Sequence, residues 1–232
     1  MMEEVEHRIN PFEPKPLIAR LNIGLVGVSQ TTQAIQQFRL DHVLAQEAVL
    51  YEIPQPAYFI EHWVPQIQIP FIFLNTQASS KETYILQPEL GRHLDADSLK
   101  NLQKFAAHHK QQYGFVVADG LSPGAIMQNG LNFFMELINL LRLKKMQVPA
   151  AIFIVRYGRV AVADEIGEIL NATLSVIAIG ERPGLRNLES MSVYITPAPK
   201  KSSTDADRTC ISNIHAKGLS PQTAALKLMP WL

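Results

Sequence analysis

The strongest constraint on the fold is a change of rhythm at Tyr113. From there, short apolar runs (Phe115-Val-Val-Ala118, Ala150 to Val155, Leu174 to Ile179 and Ser192 to Thr196) alternate with segments of helical spacing. Strands that stay apolar at consecutive positions, instead of alternating, are covered on both faces, and strands interleaved with helices form parallel sheets. The helix expected from about Gly124 to Lys145 presents Ile126, Leu131, Phe134, Ile138 and Leu141 at intervals of three to five residues. A shorter one is expected from Val160 to Leu170, closed by Asn171 in the left-handed conformation that asparagine tolerates. Ser220-Pro221 is a capping residue followed by proline at the first helical position, which opens a final helix. The expected fold is α/β: a Rossmann-like parallel-sheet C-terminal domain over residues 97–232, preceded by a smaller, mostly helical N-terminal domain over residues 1–96.

The N-terminal half is less regular. Pro11, Pro14 and Pro16 make residues 10–16 an extended lead-in. Thr31 or Thr32 caps a helix running to Leu50, which Pro54 and Pro56 stop. Four prolines among aromatics over residues 51–75 predict a packed irregular or edge region. Tyr84-Ile-Leu86 is read as a short strand, and Asp95 to His108 as a helix with Leu99, Leu102, Phe105 and Ala106 on one face.

Several function classes are excluded early. Basic and acidic side chains number 21 each, so no basic excess drives binding to nucleic acid. One cysteine, Cys210, precludes an intramolecular disulfide and fits a reducing compartment. There is no run of about 18 apolar residues to span a membrane, and the acidic N-terminus lacks a signal peptide's apolar core. The histidines lack H-x-x-x-H spacing, so a metal held by the protein is not expected. A cytoplasmic location follows.

In open α/β sheets, ligands bind beyond the carboxyl ends of the strands. Asp119-Gly120, Arg156 to Val160 and Gly180 to Gly184 all follow strands and are therefore expected on that edge. Gly120-Leu-Ser-Pro-Gly124 reads as a tight turn or, less specifically, a phosphate cradle. Asp164, Glu165 and Glu168 sit at the start of a short helix, where they complement its positive end and face solvent. Glu181 ends a strand and is pinned by Gly180, Pro183 and Gly184; it either pairs with Arg182 or another arginine, or accepts hydrogen bonds from a ligand's amides. Cys210 is either a small buried apolar residue or, given Asp207, Arg208, Ser212 and Asn213 around it, a ligand contact. A cysteine nucleophile with His215 as its base would have to be assembled in space.

Five ordered blocks carry a resemblance: Ala118-Asp-Gly-Leu-Ser122, Val155-Arg-Tyr-Gly-Arg-Val160, Asp164-Glu-Ile-Gly-Glu-Ile-Leu170, Gly180-Glu-Arg-Pro-Gly-Leu185 and Ala206-Asp-Arg-Thr-Cys-Ile-Ser-Asn-Ile-His215. With them the chain resembles the small (light) subunit of ethanolamine ammonia-lyase, an enzyme that uses adenosylcobalamin to convert ethanolamine to acetaldehyde and ammonia. The resemblance implies a large-subunit partner that holds ethanolamine, with the cobalamin bound base-on in the shared interface. It implies cofactor contacts at Val160, Glu181 and Cys210, no catalytic residue in this chain, and Arg159 and Asp119 as further interface candidates. Some members carry an N-terminal extension that directs them to a bacterial microcompartment. It is missing here, and the cytoplasm is the expected location. The alternative is a stand-alone Rossmann-like module that binds a ligand or regulates a partner without lyase activity.

Overall fold

The computed structural model describes residues 25–26 and 29–232. The extended lead-in expected over residues 10–16 lies outside them. A two-stranded ribbon, β1 (Leu25–Val26) and β2 (Ser29–Gln30), precedes α1 (Thr32–Leu50), whose start is capped by the Thr31 hydroxyl accepting from Ala34 N–H at 3.2 Å. After α2 (Ala57–His62), the chain enters the main sheet as β3 (Phe71–Asn75). Two helices follow, α3 (Lys81–Leu86) and α4 (Ala96–His108), before β4 (Tyr113–Ala118). Next come α5 (Pro123–Ala125), a π-helical stretch over Ile126–Gly130 and α6 (Leu131–Leu143), which together fill the single helix expected there. The remainder is β5 (Ile152–Arg156), α7 (Val162–Ile169), β6 (Leu174–Gly180), β7 (Met191–Pro197), β8 (Thr209–Ile214) and α8 (Pro221–Leu228).

The sheet has six strands in the order β3-β5-β4-β6-β7-β8. It is mixed, which corrects the expectation of a parallel sheet. β3, β5, β4 and β6 are mutually parallel, while β7 runs against β6, and β8 against β7. Parallel neighbours need a long crossover, usually a helix, and the segments 181–190 and 198–208 contain none beyond one short turn; such connections return the chain antiparallel. One sheet draws on both sides of the boundary expected at residue 97, because β3 registers against β5 from Phe71 opposite Ile152 to Asn75 opposite Arg156. Tyr84-Ile-Leu86 is helical rather than a strand: the Ser80 hydroxyl accepts from Thr83 N–H at 3.1 Å and caps α3.

Both sheet faces are covered, as the unbroken apolar runs require. Phe115, Val117, Ile152, Ile154, Val176 and Val193 meet Phe134, Leu137 and Leu141 of α6, Leu228 of α8, and Phe59 and Trp63 of the α2 segment. Val116, Ala118, Phe153, Val155, Ile177 and Ile179 meet Leu102 of α4 and Val162 and Ile166 of α7. Gly130 lies against the Trp63 indole, where a Cβ would sit 2.8 Å from the ring. Among the described residues, no helix is long and apolar enough to cross a membrane.

Candidate functional site

The carboxyl ends of β3, β4, β5 and β6 share one edge of the sheet, and β8, antiparallel to β7, brings its own C-terminal end there too. Asp119, Tyr157, Glu181 and His215 thereby come to a common edge from four strands.

Glu181 is positioned by a close approach of backbones. Gly120 adopts φ +61°, and its Leu121 neighbour donates to the Gly180 carbonyl at 3.1 Å. A Cβ on Gly120 would collide with that carbonyl, and one on Gly180 with the Ser122 carbonyl. The Gly120–Gly124 segment is therefore a tight turn clamped on the end of β6. Beyond it, Glu181 N–H donates to Ser190 O at 2.9 Å, and the Glu181 carboxylate accepts a short hydrogen bond from the Ser192 hydroxyl on β7. Glu181 makes no ion pair among the described residues, so the arginine pairing open from the sequence is not formed.

Cys210 stands opposite Tyr194 on the outermost strand and is exposed, not buried as a small apolar residue would be. The Tyr194 phenol and the Cys210 thiol are cross-strand neighbours. Burial pushes that phenol up to about 12, and Cys210 and Glu181 add in the same direction, so it stays protonated and able to donate. β7 thus stands beside two of the three predicted contacts, Tyr194 opposite Cys210 and Ser192 bonded to Glu181. Tyr194 is exposed on one side only and was not singled out from sequence; its place opposite Cys210 follows from the β7–β8 register. His215 is occupied elsewhere: its Nε2 lies 2.7 Å from Asn213 Oδ1, and its Nδ1 accepts from Lys217 N–H at 3.2 Å. The described residues show no hydrogen bond between His215 and Cys210, and a nucleophile–base pair is not assembled.

Val160 is half-buried past the end of β5 and lines a cleft of about 470 Å³ with Arg92, Arg159, Lys201, Asp205 and Arg208. Val160 and Tyr194 both pack on the α4/α7 face of the core. A second cavity, of about 650 Å³, separates α1 from the loop after Glu181, with Val49 and Leu50 on one wall and Arg182, Pro183 and Leu185 on the other.

Two of the three acids, Asp164 and Glu165, do not face solvent, which corrects the sequence expectation for them; Glu168 is exposed, as expected. Asp164 is 1% exposed and takes Arg208 Nη2 at 2.5 Å and Nε at 3.0 Å. Glu165 is 4% exposed, accepts from Leu94 N–H at 2.8 Å and pairs with Lys201 Nζ at 2.9 Å. Arg208 also binds Asp205 and the Ser203 carbonyl, so this network ties α7 to the strand that bears Cys210. Such partners come from distant sequence positions, which helix-end reasoning cannot foresee.

Asp119 is buried behind α3. Burial pushes its carboxyl up to about 6, opposed by the Lys81 ammonium and by backbone N–H groups of Tyr157, Gly120 and Gly158. Lys81 is itself buried, donates to Gly120 O at 3.0 Å, and is lowered chiefly by desolvation. Among the described residues both groups serve the interior of the edge, holding α3 against the clamped turn.

The ethanolamine ammonia-lyase light chain (EutC) family matches residues 14–232. The chain is 38% identical over 224 residues to the ethanolamine ammonia-lyase small subunit of Pseudomonas aeruginosa, covering 95% of this chain and 81% of the relative. The subunit of the same name from Azotobacter vinelandii is 38% identical over 213 residues (91% and 78%), and that from Bradyrhizobium diazoefficiens 36% over 214 (92% and 80%). Nearly full-length similarity, spanning both the clamped β6 edge and the Cys210 strand, shows that this chain belongs to the ethanolamine ammonia-lyase small-subunit family, a component of an ammonia-lyase.

Proposed function

We propose that this chain supplies one side of an adenosylcobalamin site that a large subunit completes, with Val160, Glu181 and Cys210 as its contacts. The observation that carries the reading is Glu181. Its carboxylate is held at the sheet edge by a neutral hydroxyl and leaves its remaining acceptor capacity without a cation among the described residues. A fixed carboxylate in that state suits the amide N–H groups on the rim of a corrin ring. The exposed thiol of Cys210, with the Tyr194 phenol behind it, adds a compact polar contact, and Val160 an apolar one beside the macrocycle.

When bound, adenosylcobalamin would supply the radical chemistry that converts ethanolamine to acetaldehyde and ammonia. This chain's residues bind and orient it, while the ethanolamine lies in the large subunit. The sequence lacks the Asp-x-His-x-x-Gly motif with which some cobalamin enzymes displace the cofactor's benzimidazole, so the cofactor is held base-on, with no atom of this chain on cobalt. Histidine-nitrogen coupling in the electron paramagnetic resonance spectrum of the cob(II)alamin state would reject that.

The test is a cobalamin titration of the chain assembled with its large subunit. Glu181→Ala is expected to raise Kd by about one to two tenfold steps, the scale of a lost charge-assisted hydrogen bond. An unchanged Kd in the assembled enzyme would remove Glu181 from the site.

A further inference from the structure

The cleft beside Val160 holds more positive charge than its own carboxylates engage. Arg92 faces Glu89 at 3.4 Å, Lys201 faces Glu165 at 2.9 Å, and Arg208 binds Asp164 and Asp205. Arg159 is the exception: no carboxylate pairs with it among the described residues. Its Nε is buried and has no hydrogen-bond partner.

Arg159 is nevertheless held in place. Its guanidinium stacks over the Tyr84 ring, 4.2 Å from the centroid, and Nη2 donates to Tyr84 O at 2.9 Å. Its backbone N–H donates to Gly91 O at 2.8 Å. The close fit of its Cγ against Gly91 leaves no room for a Cβ there. A guanidinium held by stacking and hydrogen bonds on the wall of a cleft, with no carboxylate partner among the described residues, suits an oxyanion, because its planar fork matches phosphate oxygens. Lys201 and Arg92 on the same cleft add cationic reach.

Base-on cobalamin carries one fixed negative group, the phosphate of its nucleotide loop. Resting on the cobalamin reading above, we infer that Arg159 receives that phosphate, with Lys201 in support, so that the cleft next to Val160 is the subsite for the nucleotide loop. A carboxylate of the large subunit is the competing occupant, and the experiment separates the two.

The assembled enzyme is titrated by absorbance with cobinamide, which lacks the nucleotide loop, and with cobinamide phosphate, which restores the phosphate alone. The wild type is expected to bind cobinamide phosphate about tenfold or more tightly, as a charge-assisted contact would give. Arg159→Gln is expected to erase that preference while leaving the cobinamide Kd unchanged, and Arg159→Lys to keep part of it. Equal affinity of the wild type for the two corrinoids overturns the inference without needing any variant. So does a preference that survives in Arg159→Gln, or a loss of subunit assembly in that variant with the preference intact, which would assign Arg159 to a carboxylate of the partner. Failure of the assembled enzyme to bind any corrinoid would overturn the cobalamin reading itself and this inference with it. A Glu181→Ala effect with no phosphate preference would leave that reading standing and sink the subsite alone.

Discussion

The helices α1 and α7 reverse what their compositions suggest. α1 spans 19 residues, carries Ile35, Phe38, Leu40, Val43, Leu44 and Leu50, and buries none of them. α7 spans eight, carries two adjacent acids in its first turn, and buries both. Apolar side chains on α1 recur on every side, so no single stripe is offered to the body, and cavities of about 650 and 440 Å³ remain beneath it. α7 is drawn in by Val162 and Ile166 against the sheet, and its carboxylates are tolerated because Arg208, Lys201 and the Leu94 amide meet them. Burial is decided by what faces a helix, not by how apolar the helix is.

The sharpest way to break this contrast is to remove a partner of the buried acids. Arg208→Met strands the Asp164 carboxylate in the interior and is expected to cost about 3 to 5 kcal/mol of stability in chemical denaturation. Adding Asp164→Asn to that variant should recover a large part, since the cost lies in the uncompensated charge. A loss under about 1 kcal/mol for the single variant would mean that the acid of α7 is wetter than its geometry indicates.

An intermediate effect is expected at Asp119. Its folded pKa, near 6, lies above the ordinary aspartate value of about 3.9. The native state therefore holds a proton that the unfolded state releases between those pH values. The corresponding stability is fully present below about pH 4 and is lost as pH rises to about 6, on the order of 2 to 3 kcal/mol. Comparing the pH dependence of unfolding in wild type and Asp119→Asn isolates this contribution. A variant whose profile between pH 4 and 6 matches the wild type would refute it.

The smallest effect belongs to α1. Phe38→Ser removes a side chain that is 47% exposed, and the isolated chain should change in stability by no more than about 0.5 kcal/mol. A larger loss would show that α1 is packed more firmly on the body than its exposed apolar side chains allow.

Much of the fold was legible because its signals are local or periodic. Thr31 and Ser220 cap the helices expected of them, Asp95 caps the helix expected to begin at it, and Asn171 takes φ +51° where a left-handed residue was expected. The strand runs at β4, β5 and β6 were recognisable because burial on both faces removes polar alternation. What escaped depended on partners far along the chain. Tyr84-Ile-Leu86 reads as a strand on three apolar or aromatic residues alone; the signal for a helix is Ser80, whose hydroxyl caps α3. The antiparallel return of β7 and β8 escaped because an apolar run does not state its direction; the helix-free segments before them did carry that information.

The candidate site divides in the same way. Residue type and position after a strand singled out Glu181, and the motif blocks singled out Val160 and Cys210. The Ser192 bond to Glu181, the pairing of Tyr194 opposite Cys210 and the stacking of Arg159 on Tyr84 required the β6–β7–β8 register and the packing of α3 on the sheet edge. The sequence by itself determined the alternation of elements, the caps and the family, since these depend on residue order over short spans. Only the tertiary structure decided which charges are buried, which carboxylate lacks a cation and which arginine lacks a carboxylate. Each of those is a property of neighbours brought together from separate strands and helices, and dielectric environment and hydrogen bonding are set by neighbours in space.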